Sequence, residues 1–118
     1  MDNKIVRFSV SLSIAEGKFE AFEKLAEAML AATRRNPGAR GFDWYLSSDR
    51  QHCRLLETYA NADAVIAQIQ GPVVHEFIPK MLAVGKLNSF EVFGEPGPKA
   101  TALLAGFGAA FFAPWHLF

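Results

Sequence analysis

The sequence predicts an α+β domain built on a four-stranded antiparallel sheet, and three observations carry that prediction. Apolar and polar residues alternate along residues 5–12, a long helical stripe follows from Glu16, and two further strands, an interrupted helix and a last strand complete the order. Strand, helix, strand, tight connection, strand, broken helix, strand is a split βαβ, or ferredoxin-like, arrangement. Its helices suffice to cover one face of the sheet, so the other face must meet water, a ligand or a second subunit.

Each element has a local cause. In the first strand Val6, Phe8, Val10 and Leu12 share one face, and Arg7, Ser9 and Ser11 the other. The helix that follows puts Phe19, Phe22, Leu25, Ala26, Met29 and Leu30 on one stripe, with Lys18, Glu20, Glu23, Lys24 and Glu27 mostly off it. Glu20 and Lys24 stand where they can pair across one turn, a contribution of about a few tenths of a kcal/mol. Asn36-Pro37-Gly38 ends the helix, because the residue before proline avoids helical geometry and glycine accepts positive φ.

Residues 41–48 and 52–60 are rich in aromatic and branched side chains and flank a turn at Asp49, so they read as a hairpin. Phe42, Trp44 and Leu46 form its apolar face and join Val6, Phe8, Val10 and Leu12 beneath the helices. Asn61 is a good N-cap for a second helix holding Val65, Ile66 and Ile69. Gly71-Pro72 interrupts that helix before Val74, Phe77, Ile78, Met81 and Leu82, and Pro79 is expected to bend the second piece. A last strand runs over 88–93, and Gly94-Glu95-Pro96-Gly97-Pro98 closes the domain with a stiff turn.

From Ala100 onward the chain has no formal charge and is dense in Ala, Gly, Leu and Phe. Gly106, Gly108 and Pro114 break this run, and a bilayer-spanning helix needs about 20 apolar residues, so membrane insertion is not expected. The segment reads as a short helix over 100–105 and an extended aromatic arm (Phe107, Phe111, Phe112, Trp115, Phe118) packed on its own domain or on a partner. The division is therefore a domain at 1–97 and an apolar extension at 98–118.

Composition excludes several function classes. With 118 residues, 51% apolar and 20% charged, the chain can bury a core without staples. Twelve basic residues balance twelve acidic ones, which argues against nucleic acid or an anionic membrane as partner. Cys53 is the single cysteine, so no disulfide framework forms, and it reads as a buried, inert thiol. His52, His75 and His116 are scattered without carboxylates at ligand spacing, and no metal site is expected. His52 and His116 read as surface residues. Neither a glycine-rich phosphate loop nor a GxSxG turn occurs. Residues 1–4 lack the basic start and apolar stretch of a signal peptide, which points to the cytoplasm.

Several short motifs, in order, carry a family resemblance. Glu16-Gly17-Lys18 precedes the long helix, and Asn36-Pro37-Gly38 with Gly41-Phe42 follows it. Leu56-Glu57-Thr58-Tyr59 comes ahead of Asn61-Ala62-Asp63-Ala64, and Val74-His75-Glu76-Phe77 lies beyond. Together they resemble the antibiotic biosynthesis monooxygenase domain over about residues 4–95. The resemblance implies a homodimeric α+β barrel, with two sheets face to face and a pocket in each subunit between sheet and helices. Some relatives oxidise quinols or polyketide phenols without metal or flavin, others degrade haem. Aligned with the haem-degrading branch, its asparagine falls at or beside Phe8, its tryptophan near Gln68 and its iron-ligating histidine near Ile78; none matches, although the neighbouring His75 keeps that branch open.

The resemblance places His75 as the catalytic candidate, a base that takes a proton from a phenol or hydroquinone whose anion passes an electron to dioxygen. A histidine that merely hydrogen-bonds a neighbour is an equal reading. Phe8, Trp44 and Phe77 would wall an aromatic substrate, and Tyr59 or Tyr45 would bond its oxygen; each also serves as packing. Arg7 and Glu57 are strand charges that should pair with each other or across a dimer if they face the interior. The expected activity is a cofactor-independent monooxygenase acting on a quinol or polycyclic phenol. The alternatives are a non-catalytic barrel binding a small hydrophobic ligand, and an isomerase or decarboxylase on the same scaffold.

Overall fold

The computed structural model describes residues 4–118; the reading of the first three residues as free of a signal sequence lies outside them. The order is β1 (Val6–Ile14), α1 (Phe19–Thr33), β2 (Ala39–Leu46), β3 (His52–Tyr59), α2 (Ala62–Gln70), a π-helical turn (Val73–Phe77), α3 (Ile78–Val84), β4 (Gly85–Phe93), α4 (Gly97–Ala105) and β5 (Ala110–Phe112). The fold is α+β and ferredoxin-like, with strand order β2-β3-β1-β4-β5. Strands β1 to β4 pair antiparallel, as the alternation predicts.

Over the described residues the sheet has five strands rather than four. After β4 the chain crosses through α4 and returns as β5, parallel to β4, pairing Glu91 with Ala110, Val92 with Phe111 and Phe93 with Phe112. A parallel neighbour requires such a helical crossover. The return protects the backbone groups of an edge that β4 would otherwise leave open. The aromatic run therefore splits into a strand and, beyond it, an exposed end in which Trp115 is 88% exposed.

Three local expectations change. Gly38 does not have positive φ. A Cβ at Gly38 would come within 2.4 Å of the Ala64 Cβ, so close approach of α2 is what demands glycine. Pro79 falls next to the interruption of its helical piece. It sits in the first turn of α3, where its missing N–H costs nothing, and the break lies ahead of it in the π turn, where the Ile78 N–H donates to the Val73 carbonyl. Leu46 is exposed at the end of an outer strand instead of lying beneath the helices. Strand β4 also begins earlier than its apolar residues indicate, with an irregularity opposite Ser11 and Leu12.

The core lies between the sheet and the helices on one face. Val6, Phe8, Tyr59, Val65, Ile69, Val92, Ala100 and Leu104 form one cluster, and Leu12, Phe22, Met29, Phe42, Cys53, Leu55 and Met81 lie in the other. Asn61 caps α2 as expected, accepting the Ala64 N–H at 2.9 Å. The Asn36 turn ties α1 to α2: its amide donates to the Ala64 carbonyl at 2.9 Å and to Gln68 Oε1 at 3.3 Å. Gln68 Nε2 in turn donates to the Thr33 hydroxyl at 2.8 Å. Among the described residues no element covers the opposite face, where Tyr45, Leu56, Phe93 and Phe112 are exposed.

Helix α4 belongs to the core, since Leu104 is 2% exposed within the first cluster. Leu104→Ala is expected to lower the unfolding free energy by about 3 kcal/mol, measured by urea denaturation. A cost near zero would make α4 a peripheral attachment.

Candidate functional site

A cavity of about 350 Å³ opens between the sheet and the helices. Its floor is the helix-facing side of β1, β2, β3 and β4, including Phe8, Phe42, Trp44, Leu55 and Phe90. Its roof is Met29 of α1, Gln68 and Ile69 of α2, Val73 and Val74 of the π turn and Met81 of α3, and Leu104, Gly106 and Phe107 border one end. Glu57 and Gln68 bring the carboxyl and amide groups into this apolar lining.

Strand alternation puts Glu57 there. On β3 Cys53, Leu55, Glu57 and Tyr59 are buried while His52, Arg54 and Leu56 are exposed. In the ladder Glu57 stands opposite Phe8 on one side and Phe42 on the other, so an aromatic strand residue flanks it left and right. The Tyr59 hydroxyl donates to Glu57 Oε1, and Tyr59 also lies against Phe8 with ring centroids 5.1 Å apart. The other carboxyl oxygen has no partner among the described residues.

Burial controls the protonation of this pair. Removal from water pushes the Glu57 carboxyl up from its ordinary 4.5 to about 7, and the Tyr59 hydrogen bond offsets part of that rise. Tyr59 is pushed far above its usual range by burial first, then by the neighbouring Glu57 charge and its hydrogen bond. Tyr59 thus keeps its proton, while Glu57 populates both forms near neutral pH. An acid or base with that midpoint is suited to proton transfer in either direction.

Of the residues singled out from the sequence, Phe8 and Trp44 line the cavity. Tyr59 lies behind the wall and reaches the cavity through Glu57. Phe77 packs beside the second core cluster and does not line the cavity. His75 is exposed on the π turn and also stands outside the lining. Arg7 and Glu57 lie on opposite faces of the sheet and form no pair. Tyr45 is exposed on the uncovered face, His52 is exposed at the hairpin, and His116 is exposed with its ring against Trp115.

Trp44 stands edge-on to Phe22 and Phe42, at centroid separations of 6.2 and 5.8 Å, and its buried indole N–H has no hydrogen-bond partner among the described residues. Cys53 is buried next to this aromatic group, and loss of solvation pushes its thiol up to about 11. Among the described residues no group of His, Cys, Asp and Glu is arranged to hold a metal ion, and no helix is long and apolar enough to cross a membrane.

The signal that sequence reasoning could have used for Glu57 was the alternation itself. Cys53, Leu55 and Tyr59 mark a buried face, and Glu57 falls in phase with them. Gln68 and Phe107 carry no comparable signal, because their place on the cavity depends on how α2 and α4 pack.

No functionally curated protein matches the sequence. Among solved structures the chain is similar to MupZ from Pseudomonas fluorescens, at 21% identity and a TM-score of 0.80, covering 98% of this chain and 94% of that one. It is also similar to SnoaB, a cofactor-independent oxygenase from Streptomyces nogalater, at 16% identity and a TM-score of 0.68, covering 80% and 96%. A conserved protein from Methanosarcina mazei Go1 shares 15% identity with a TM-score of 0.66, covering 76% and 89%. These likenesses concern the fold. Residues 5–80, more than half of the chain, match the family model described as antibiotic biosynthesis monooxygenase, and the chain belongs to that family.

Proposed function

We propose that the cavity is the active site of a cofactor-independent monooxygenase acting on a quinol or polycyclic phenol, with Glu57 as the proton-transfer group. The observation that carries this reading is a carboxyl group with a midpoint of about 7 inside an otherwise apolar cavity. A space of about 350 Å³ falls in the range of small-molecule sites, and Phe8, Phe42, Trp44 and Phe90 offer aromatic walls to a flat substrate.

Ionised Glu57 takes the phenolic proton, and the resulting anion is electron-rich enough to reduce dioxygen. Oxygen adds at a ring carbon to give a peroxide. Glu57 returns its proton to the distal oxygen to give a hydroperoxide; the ring carbon then loses its hydrogen as a proton while the O–O bond breaks, so that carbon becomes a carbonyl and the departing hydroxide takes the proton and leaves as water. Overall a CH₂ tautomer and O₂ give C=O and H₂O, so the substrate itself is the reductant. Exclusion of bulk water strengthens each of these electrostatic steps. His75 stands outside the lining, so Glu57 takes the role that the family resemblance gives to the histidine. In this reading Phe8 and Trp44, which line the cavity, serve as substrate walls, and Tyr59 acts on the substrate through Glu57.

The same acid favours a second reading, in which Glu57 moves a proton without oxygen, as in an isomerase or decarboxylase. Oxygen uptake by metal-free protein against a panel of hydroquinones and polycyclic phenols separates the two. Uptake is expected to rise with pH through about 7 as Glu57 ionises. It should fall about 10²- to 10⁴-fold in Glu57→Gln. Tyr59→Phe removes a bond that stabilises the carboxylate and should move the midpoint of the pH profile upward. Uptake that survives in Glu57→Gln and is lost in His75→Ala would return the role to the histidine. Product formed without oxygen would favour the second reading.

The Glu57 midpoint also couples to stability. The neutral carboxyl is favoured in the folded state, so its contribution is complete below about pH 4.5 and is lost as pH rises to about 7. The loss should be on the order of 3 kcal/mol in wild-type protein. In Glu57→Gln this part of the pH dependence should be flat, as measured by denaturant midpoints across that window.

The uncovered face bearing Tyr45, Leu56, Phe93 and Phe112 fits a homodimer in which two sheets meet, within a cytoplasmic protein. Sedimentation should return about twice the 13.0 kDa chain mass; a monodisperse monomer would overturn this assembly.

A further inference from the structure

The geometry points to Phe107 as the residue that sets how large a ligand the cavity accepts, from a segment beyond the part of the chain that matches the family model. This inference rests on the reading of the cavity as a site for aromatic molecules. The family match ends at residue 80, whereas the likeness to MupZ covers 98% of the chain and so extends into the segment after β4. In this chain that segment is part of the cavity, since Leu104, Gly106 and Phe107 all line it.

Leu104 and Phe107 differ in kind. Leu104 is a buried member of the first core cluster, so its side chain is fixed by packing. Phe107 lines the cavity yet belongs to neither core cluster and makes no ring contact with another aromatic side chain among the described residues. It is 39% exposed, and Leu82 of α3, also in the lining, is 50% exposed. The other large apolar residues of the lining are more buried, so Leu82 and Phe107 mark the mouth where the cavity meets solvent.

The backbone beneath Phe107 is held in place. Its N–H donates to the Leu104 carbonyl at 3.0 Å, the Gly108 N–H to the Ala105 carbonyl at 3.0 Å, and the Ala109 N–H to the Leu104 carbonyl at 3.4 Å. Gly108 adopts φ +80°, a conformation that favours glycine, and the chain turns there into β5. A pinned backbone bearing a large side chain half in solvent is a rim whose reach is set by one residue. Shortening that side chain should lengthen the cavity at the Leu104 end. Enlarging it should close the mouth over ligands that the wild type admits.

The test is binding rather than turnover, using naphthol, hydroxyanthracene and hydroxypyrene, whose own fluorescence reports the bound fraction. Phe107→Ala is expected to shift the ratio of Kd values for naphthol and hydroxypyrene by about tenfold or more in favour of the larger ring system. Phe107→Trp should shift it the other way, and Leu82→Ala, at the other exposed lining residue, should have the smaller effect. Melting curves identify any variant that fails to fold, and the Trp variant then serves as the independent arm. If wild type binds the hydroxyarenes and both Phe107 variants change all three affinities equally or not at all, the Phe107 inference is overturned while the cavity reading stands. If no hydroxyarene binds wild type or any variant, the reading of the cavity fails and takes this inference with it.

Discussion

Placing a carboxyl group on the helix-facing side of β3 is the constraint around which this structure is arranged. Among the described residues Glu57 stands between Phe8 and Phe42 with no cation beside it, so folding favours its neutral form, and the Tyr59 hydroxyl supplies the one hydrogen bond it receives from them. A fully packed interior around that group would be an apolar core with a buried acid and no route to solvent. Instead the helices stand off the sheet and leave a cavity that Glu57 borders. The stand-off is held by polar bonds above the cavity, where Gln68 joins the Thr33 hydroxyl and the Asn36 amide and so locks α2 to the end of α1. Satisfied buried bonds of this sort fix geometry in a way that apolar contact alone does not.

The chain divides the work along its length. Strands β1 to β3 bring the acid and its aromatic neighbours, α1 to α3 roof them, and α4 with the turn after it borders one end while β5 lines up along β4. A shared fold supports many reactions, and what distinguishes members is the shape and chemistry of the site placed on it. Here the floor is built from strand positions that cannot be changed without disturbing the ladder, whereas the end wall comes from a helix and turn packed against it. Changes in that wall can alter the ligand accepted while leaving the acid where it is.

Much of this was legible from residue order. The alternation in β1, the stripe of α1, the Asp49 hairpin and the Asn61 cap are local signals, and each appears in the structure with its expected partner or face. What depends on distant partners was not legible. Strand β5 has three residues within an aromatic, glycine-containing run, and only its pairing with β4 makes it a strand. Gly38 looked like a conformational requirement and proves to be a packing one, set by Ala64 some distance along the chain. At the site, the phase of Glu57 on β3 was visible, but a charge in a strand suggested an ion pair with Arg7, and only the register shows the two on opposite faces. The break before α3 is a π turn, so the faces of residues 73–77 could not be assigned from ordinary helical spacing, and His75 emerges toward solvent.

Cys53 carries a consequence for how motion in this domain can be observed. Its thiol lies two strand positions from Leu55 on the same buried face, deep in the second core cluster, with its proton held up to about 11. At neutral pH the thiol keeps its proton and is almost wholly buried, so its reaction with alkylating reagents is expected to follow opening of the interior around it. Because it is the single cysteine of the sequence, the rate of its modification is a clean clock for opening of that half of the interior. A ligand that holds the sheet and the helices together would slow that clock without touching the sulfur.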